Sequence, residues 1–140
     1  MSRWSLPEPG DIVWCHFPFL PQTEPGPKPR PALVVTVSTK EDGDTIGVAY
    51  GTSQRTNALR AGEFLISKVR HPIAYKQAGL ALDTKFDLKQ IVELPWSDRH
   101  FKVPATTKQG QHPRIGSLHA SMMHALSAAY STAQKHPQSK

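Results

Sequence analysis

Residues 10–37 read GDIVWCHFPFLPQTEPGPKPRPALVVTV, and the fold follows from this stretch. Its first part, 11–17 (DIVWCHF), is rich in β-formers, with Ile12, Trp14 and His16 on one face and Val13, Cys15 and Phe17 on the other. Its last part, 32–37 (ALVVTV), is a short apolar run that reads as a buried strand. Between them, Pro18 to Pro31 (PFLPQTEPGPKPRP) is too rich in proline for a helix or a central strand, because proline lacks the backbone donor both need. Eight of the chain's 13 prolines fall between Pro7 and Pro31. Two strands joined by a stiff loop is the resulting picture. Ordered loops of this length are uncommon and often functional; the plainer reading is a cap over one end of a barrel.

Further strands follow downstream. Lys40-Glu41-Asp42-Gly43-Asp44 is a polar turn, 45–51 (TIGVAYG) a third strand, 52–62 a polar loop and 63–67 (EFLIS) a fourth strand. Two more are expected at 81–86 and 90–94. Strands at such spacing, with no helix between the early ones, predict a mainly β architecture, a small barrel of five to seven strands, rather than βαβ units. The period then changes. Leu118, Met122, Ala125, Leu126, Ala129, Tyr130 and Ala133 make one apolar stripe of a C-terminal α-helix, with Ser117 as its expected N-cap and Pro137 discouraging continuation. Length and pattern together predict one domain over 1–140, with a core over about 9–130 and a flexible tail at 131–140.

The chain has 140 residues and a formal net charge of +6. The charge is uneven: residues 1–98 carry eleven basic and eleven acidic side chains, while 99–140 carry six basic ones and no acid. A segment without carboxylates attracts polyanions such as nucleic acid or an acidic protein; its plainer reading is a solvated tail. One cysteine excludes an internal disulfide framework and a multi-cysteine zinc ribbon. No apolar run approaches a membrane span, and Met1 to Pro7 lacks the apolar stretch of a secretory signal, so a cytoplasmic location is expected. Neither GxxxxGK[ST] nor GxGxxG occurs, nor HExxH or GxSxG. His119 and His124 are five apart and would not share a helix face, so neither metal nor cofactor is expected.

Candidate chemistry gathers at strand ends. Arg30 lies between two prolines where the stiff loop meets a strand; its planar, permanently charged fork suits phosphate. An edge-strand charge that discourages aggregation is the alternative. Thr52-Ser53-Gln54 closes the third strand after Gly51, and hydroxyls and amides there can bind phosphate oxygens or simply make a turn. Lys85 and Asp87 put a cation and a carboxylate on one side of an extended segment, as a catalytic pair or as a surface ion pair. His16 is a plausible base if it faces the cleft.

These pieces resemble a known family. Gly10-Asp11-Ile12-Val13-Trp14 followed by Arg30-Pro31-Ala32-Leu33-Val34-Val35 is similar to the opening of MazF/PemK-type toxins. Thr52-Ser53, Gly79-Leu80, Gln90-Ile91-Val92-Glu93-Leu94 and Ile115-Gly116-Ser117-Leu118 follow in the family's order, so the resemblance covers roughly 9–130. It implies an SH3-like, CcdB/MazF-like barrel with a C-terminal helix that forms a homodimer. It implies the toxin of a toxin–antitoxin pair, a metal-independent endoribonuclease acting on single-stranded RNA and restrained by a cognate acidic antitoxin. By carry-over Arg30 and Thr52 match the main catalytic Arg and Thr, Lys85 and Asp87 an Arg-x-Asp pair, and Glu24 the acidic residue of the first loop. Lys28, Ser53, Gln54 and His16 join Glu24 as RNA contacts. The chain departs from the pattern at Pro25, at Lys85 in place of Arg, and in longer stretches at 68–79 and 97–114. The alternatives are a non-catalytic topoisomerase poison of the CcdB kind and a nucleic-acid-binding barrel whose catalytic set has decayed.

Overall fold

A computed structural model of the chain describes residues 4–19, 24–105 and 112–135. Six strands form one antiparallel sheet: β1 (Asp11–Cys15), β2 (Arg30–Lys40), β3 (Gly43–Thr52), β4 (Glu63–Ile66), β5 (Thr84–Pro95) and β6 (Arg114–Ser117), in the order β4-β5-β3-β2-β1-β6. A short helix α1 (Pro72–Gln77) precedes β5, and α2 (Met123–Lys135) follows β6. The mainly β class with a C-terminal helix is as expected, but the sheet is not closed into a barrel. It ends on two four-residue strands, β4 and β6, that do not pair with each other. Register shifts in β1, β2 and β3 bend the long strands.

Several boundaries differ from the sequence reading for identifiable reasons. β2 begins at Arg30, so Pro31 is a strand residue opposite Trp14; a position at the start of a strand tolerates its missing donor. β2 and β3 run to a two-residue turn, with Lys40 paired to Gly43. The two strands expected at 81–86 and 90–94 are one, β5, and Leu88, Lys89 and Gln90 form a bulge within it. Ser117 ends β6 instead of capping the helix. His119 takes that place: its Nδ1 accepts the Ser121 N–H at 3.0 Å ahead of a 3₁₀ turn (Ala120–Met122) leading into α2. The helix then reaches Lys135, through the first half of the expected tail; residues 136–140 lie outside the described residues.

Both faces of the sheet are covered. On one, Ile12, Leu33, Ala49, Phe64, Phe86 and Leu88 pack against Ala74 and Ala78 of the α1 region and Ala129 and Ala133 of α2. Small residues on both helices let them lie close to the large rings of the sheet. On the other, Val13, Cys15, Ala32, Val34, Val48, Leu94, Trp96 and Phe101 form a second cluster. Burial pushes the Cys15 thiol far above its ordinary range, so it stays protonated and is no nucleophile. The basic C-terminal part is not a free tail. Arg114 pairs with Asp11 at 3.0 Å and Arg99 with Glu24 at 3.0 Å, which ties it to the N-terminal half. Among the described residues, no helix is long and apolar enough to cross a membrane.

Candidate active site

Strand register brings the candidates onto one face. Cys15 is opposite Arg30, Ala32 opposite Tyr50, Thr52 opposite Lys85 and Tyr50 opposite Asp87. Partners in an antiparallel pair point to the same side, and alternate residues repeat that side. Arg30, Thr52 and Lys85 therefore form one row across β2, β3 and β5. Ala32, Tyr50 and Asp87 form the next row on the same face, continued on β4 by Glu63 opposite Asp87.

Where these strands end, Arg30, Thr52 and Ser53 border a cavity of about 190 Å³. Trp14, Pro31 and Thr84, from the opposite face of the sheet, line it too, so it lies at the sheet's end, and neither Lys85 nor Asp87 is in its wall. Arg30 is half-buried, and its Cζ lies 6.0 Å from the centre of the Tyr50 ring, within cation–π reach. The Phe17 ring meets Tyr50 edge-on at 5.1 Å and steadies it. Thr52 is buried, and its Oγ1 accepts the backbone N–H of Gln54 at 3.0 Å. That bond orients the hydroxyl so that its own proton can serve a bound oxygen. Gly51 is required between them: a Cβ there would collide with the carbonyl of Pro31 and press on the Phe86 ring.

Lys85 and Asp87 lie on the same face but do not pair with each other. The Lys85 ammonium is buried, 3.0 Å from Glu63 Oε1 and 3.1 Å from the Ala58 carbonyl. Asp87, also buried, accepts the Lys89 N–H at 2.9 Å and the Gln90 Nε2 at 2.8 Å. Like charges directly across a sheet repel; the Lys85 ammonium, diagonal to Glu63 and two residues from Asp87, offsets that repulsion.

The remaining candidates lie elsewhere. His16 Nδ1–H donates to the Gly26 carbonyl at 3.0 Å, and the ring lines a different cavity, so the structure does not bring His16 to Arg30. Glu24 is exposed on the first loop and engaged with Arg99. Lys28 is exposed on the same loop, and the Gln54 side chain is exposed beyond Thr52. Tyr50, Glu63, Gln90 and Arg99 are residues that sequence reasoning missed. Alternation along β3 pointed to Tyr50, two residues before Thr52; nothing local pointed to Glu63. Among the described residues, no three His, Cys, Asp or Glu side chains converge as a metal site would require.

Comparison with known proteins bears on the family and the fold. Residues 8–131 match the family model of the PemK-like, MazF-like toxins of type II toxin–antitoxin systems. The fold is similar to that of the Mycobacterium tuberculosis toxin MazF-mt6, with a TM-score of 0.55 and 20% identity over 89% of this chain and 96% of that one. It is also similar to an endoribonuclease from a mycobacterial species, solved in complex with its cognate antitoxin (TM-score 0.54, 15% identity, 96% of this chain and 100% of that one). A further mycobacterial endoribonuclease gives a TM-score of 0.57 at 13% identity, over 99% of this chain and 100% of that one. No curated protein sequence matches the chain.

Proposed function

Because the chain belongs to the PemK-like, MazF-like toxins of type II toxin–antitoxin systems, we propose that it is an endoribonuclease that cuts single-stranded RNA without a metal. One observation carries the reading: Arg30 and Thr52, drawn from different strands, wall the same cavity. The 2′-OH of RNA is the nucleophile. Its oxygen forms a bond to phosphorus and the bond to the 5′-oxygen breaks, which leaves a 2′,3′-cyclic phosphate and a 5′-OH end. Arg30 stabilises the charge that grows on the phosphoryl oxygens. It is a poor base, because guanidinium does not give up its proton in proteins. Thr52 donates to a phosphoryl oxygen and Ser53 holds the adjoining one. Asp87, oriented by Gln90, takes the 2′-OH proton, and water protonates the departing 5′-oxygen. Lys85 is assigned a positioning role, because its ammonium is committed to Glu63.

The protein so read works in the cytoplasm, where its RNA is, and is restrained by an acidic cognate antitoxin. Exposed Met123 and Tyr130 on α2 supply an apolar face for a homodimer; a purely monomeric sedimentation profile at micromolar concentration would remove that part. For the chemistry, cleavage is expected to persist in EDTA and to stop when the scissile 2′-OH is replaced by hydrogen, with product ends that carry a cyclic phosphate. Cleavage of an all-DNA strand refutes the mechanism. Intact RNA with DNA damage in expressing cells points to a topoisomerase poison instead, and RNA binding without cleavage to a decayed site.

A further inference from the structure

The first loop and the segment after β5 enclose a second cavity. Segment 100–102 runs beside the end of β1: Cys15 bridges to Phe101, the His16 N–H donates to the His100 carbonyl at 2.6 Å and the Lys102 N–H to the Trp14 carbonyl at 3.0 Å. The first loop is fixed to the same place, since Gly26 and His16 exchange bonds through the Gly26 N–H (3.2 Å) and the His16 Nδ1–H (3.0 Å). The space between them is about 670 Å³, within the range of roughly 300–1,000 Å³ usual for small-ligand sites. Trp4, His16, Arg99 and Lys102 line it, and among the described residues Asp98 is the one acid in its wall. The first loop closes this cavity with Pro25 and Gly26 and the Arg30–Thr52 cavity with Pro29 and Arg30. Two residues of chain, Pro27 and Lys28, separate the two, so Gly26 and Pro29 are at most about 11 Å apart. One strand of RNA can occupy both.

We propose that this cavity is a subsite for a nucleotide flanking the scissile phosphate, with Arg99 and Lys102 on its phosphate and the Trp4 indole against its base. An indole and two cations beside a backbone-sized groove are the parts that hold single-stranded nucleic acid. Arg99 is bound in the free protein to Glu24, an exposed pair with side chains 56% and 78% accessible. A pair so wet contributes little, so an arriving phosphate displaces Glu24 and takes its place on the guanidinium. Glu24 thus competes with substrate rather than contacting it.

The inference rests on the endoribonuclease reading, and binding separates the two. The probe is a 2′-O-methyl single strand of about 12 nucleotides, which cannot be cleaved, against a dinucleotide of the same chemistry. Arg99→Ala with Lys102→Ala is expected to weaken the long strand about tenfold or more and to make the salt slope of log K shallower by about 0.7, from one phosphate no longer neutralised. Affinity for the dinucleotide stays as in the parent. Glu24→Gln is expected to tighten the long strand several-fold. Both cations are exposed, and a thermal melt confirms that each variant folds. If the double variant binds the long strand as the parent does, the subsite is refuted, whatever the parent cleaves. If the double variant binds weakly while the parent cleaves no RNA, the subsite stands and the enzyme reading fails.

Discussion

Arg30→Ala is expected to slow RNA cleavage by about 10²–10³-fold and to leave the unfolding transition where it is. The size follows from where the guanidinium acts. A phosphorane carries more charge on its equatorial oxygens than the ground-state diester, so a fixed cation beside it binds the transition state better than the substrate. Arg30 is fixed: Pro29 and Pro31 hold the backbone on either side, Cys15 pairs with it across the sheet, and Tyr50 supports the side chain. The contact with Tyr50 is worth no more than about 1 kcal/mol at a half-exposed site, so its loss does not unfold the protein. Arg30→Lys keeps the charge and loses the planar two-pronged donor; partial recovery of the rate is expected. Single-turnover cleavage of an RNA oligonucleotide, together with a thermal melt, checks both statements. Parent-like cleavage by a folded Arg30→Ala protein overturns the assignment.

What the chain revealed before folding depended on how local each signal was. The alternation of 11–17 and the apolar run at 32–37 are local, and both are strands. Arg30 and Thr52 were legible because each stands at a strand end, and two long adjacent strands with a short turn bring such ends together. β5 was read as two strands because Asp87, Lys89 and Gln90 interrupt its apolar pattern. In the sheet the register jumps there from Tyr50–Asp87 to Ala49–Ile91, so Leu88, Lys89 and Gln90 form a bulge in a continuous strand, with Leu88 turned into the core. α1 is six residues long and starts with Pro72, which is favourable at a helix start but looks like a breaker in sequence. β6 has four residues and no alternation of its own; β1 defines it. Glu63 was invisible for a topological reason. β4 pairs with β5, which itself pairs back with β3, and no local pattern announces that order.

The buried ion pair supplies the second large effect. Glu63→Leu or Lys85→Met alone is expected to destabilise the fold by about 3–5 kcal/mol, nearer the lower figure, because the group left behind keeps one other partner. Glu63 Oε1 still accepts the Arg60 N–H at 2.7 Å, and Lys85 still donates to the Ala58 carbonyl at 3.1 Å. Of the two, Lys85→Met is the more damaging, since it leaves Glu63 and Asp87 directly opposed across the sheet with no cation between them. Glu63→Leu combined with Lys85→Met removes both charges from a face that is already apolar further along, at Val13 and Ala32. That double variant is expected within about 1 kcal/mol of the parent, because a buried pair scarcely outweighs the cost of desolvating it. Chemical denaturation of the four proteins gives the coupling directly. Cleavage per folded molecule then decides what Lys85 does. If it only positions β4 against β5, the double variant cuts RNA at close to the parent rate. A folded double variant that binds RNA but cannot cut it would move the Lys85 ammonium from the scaffold to the leaving oxygen.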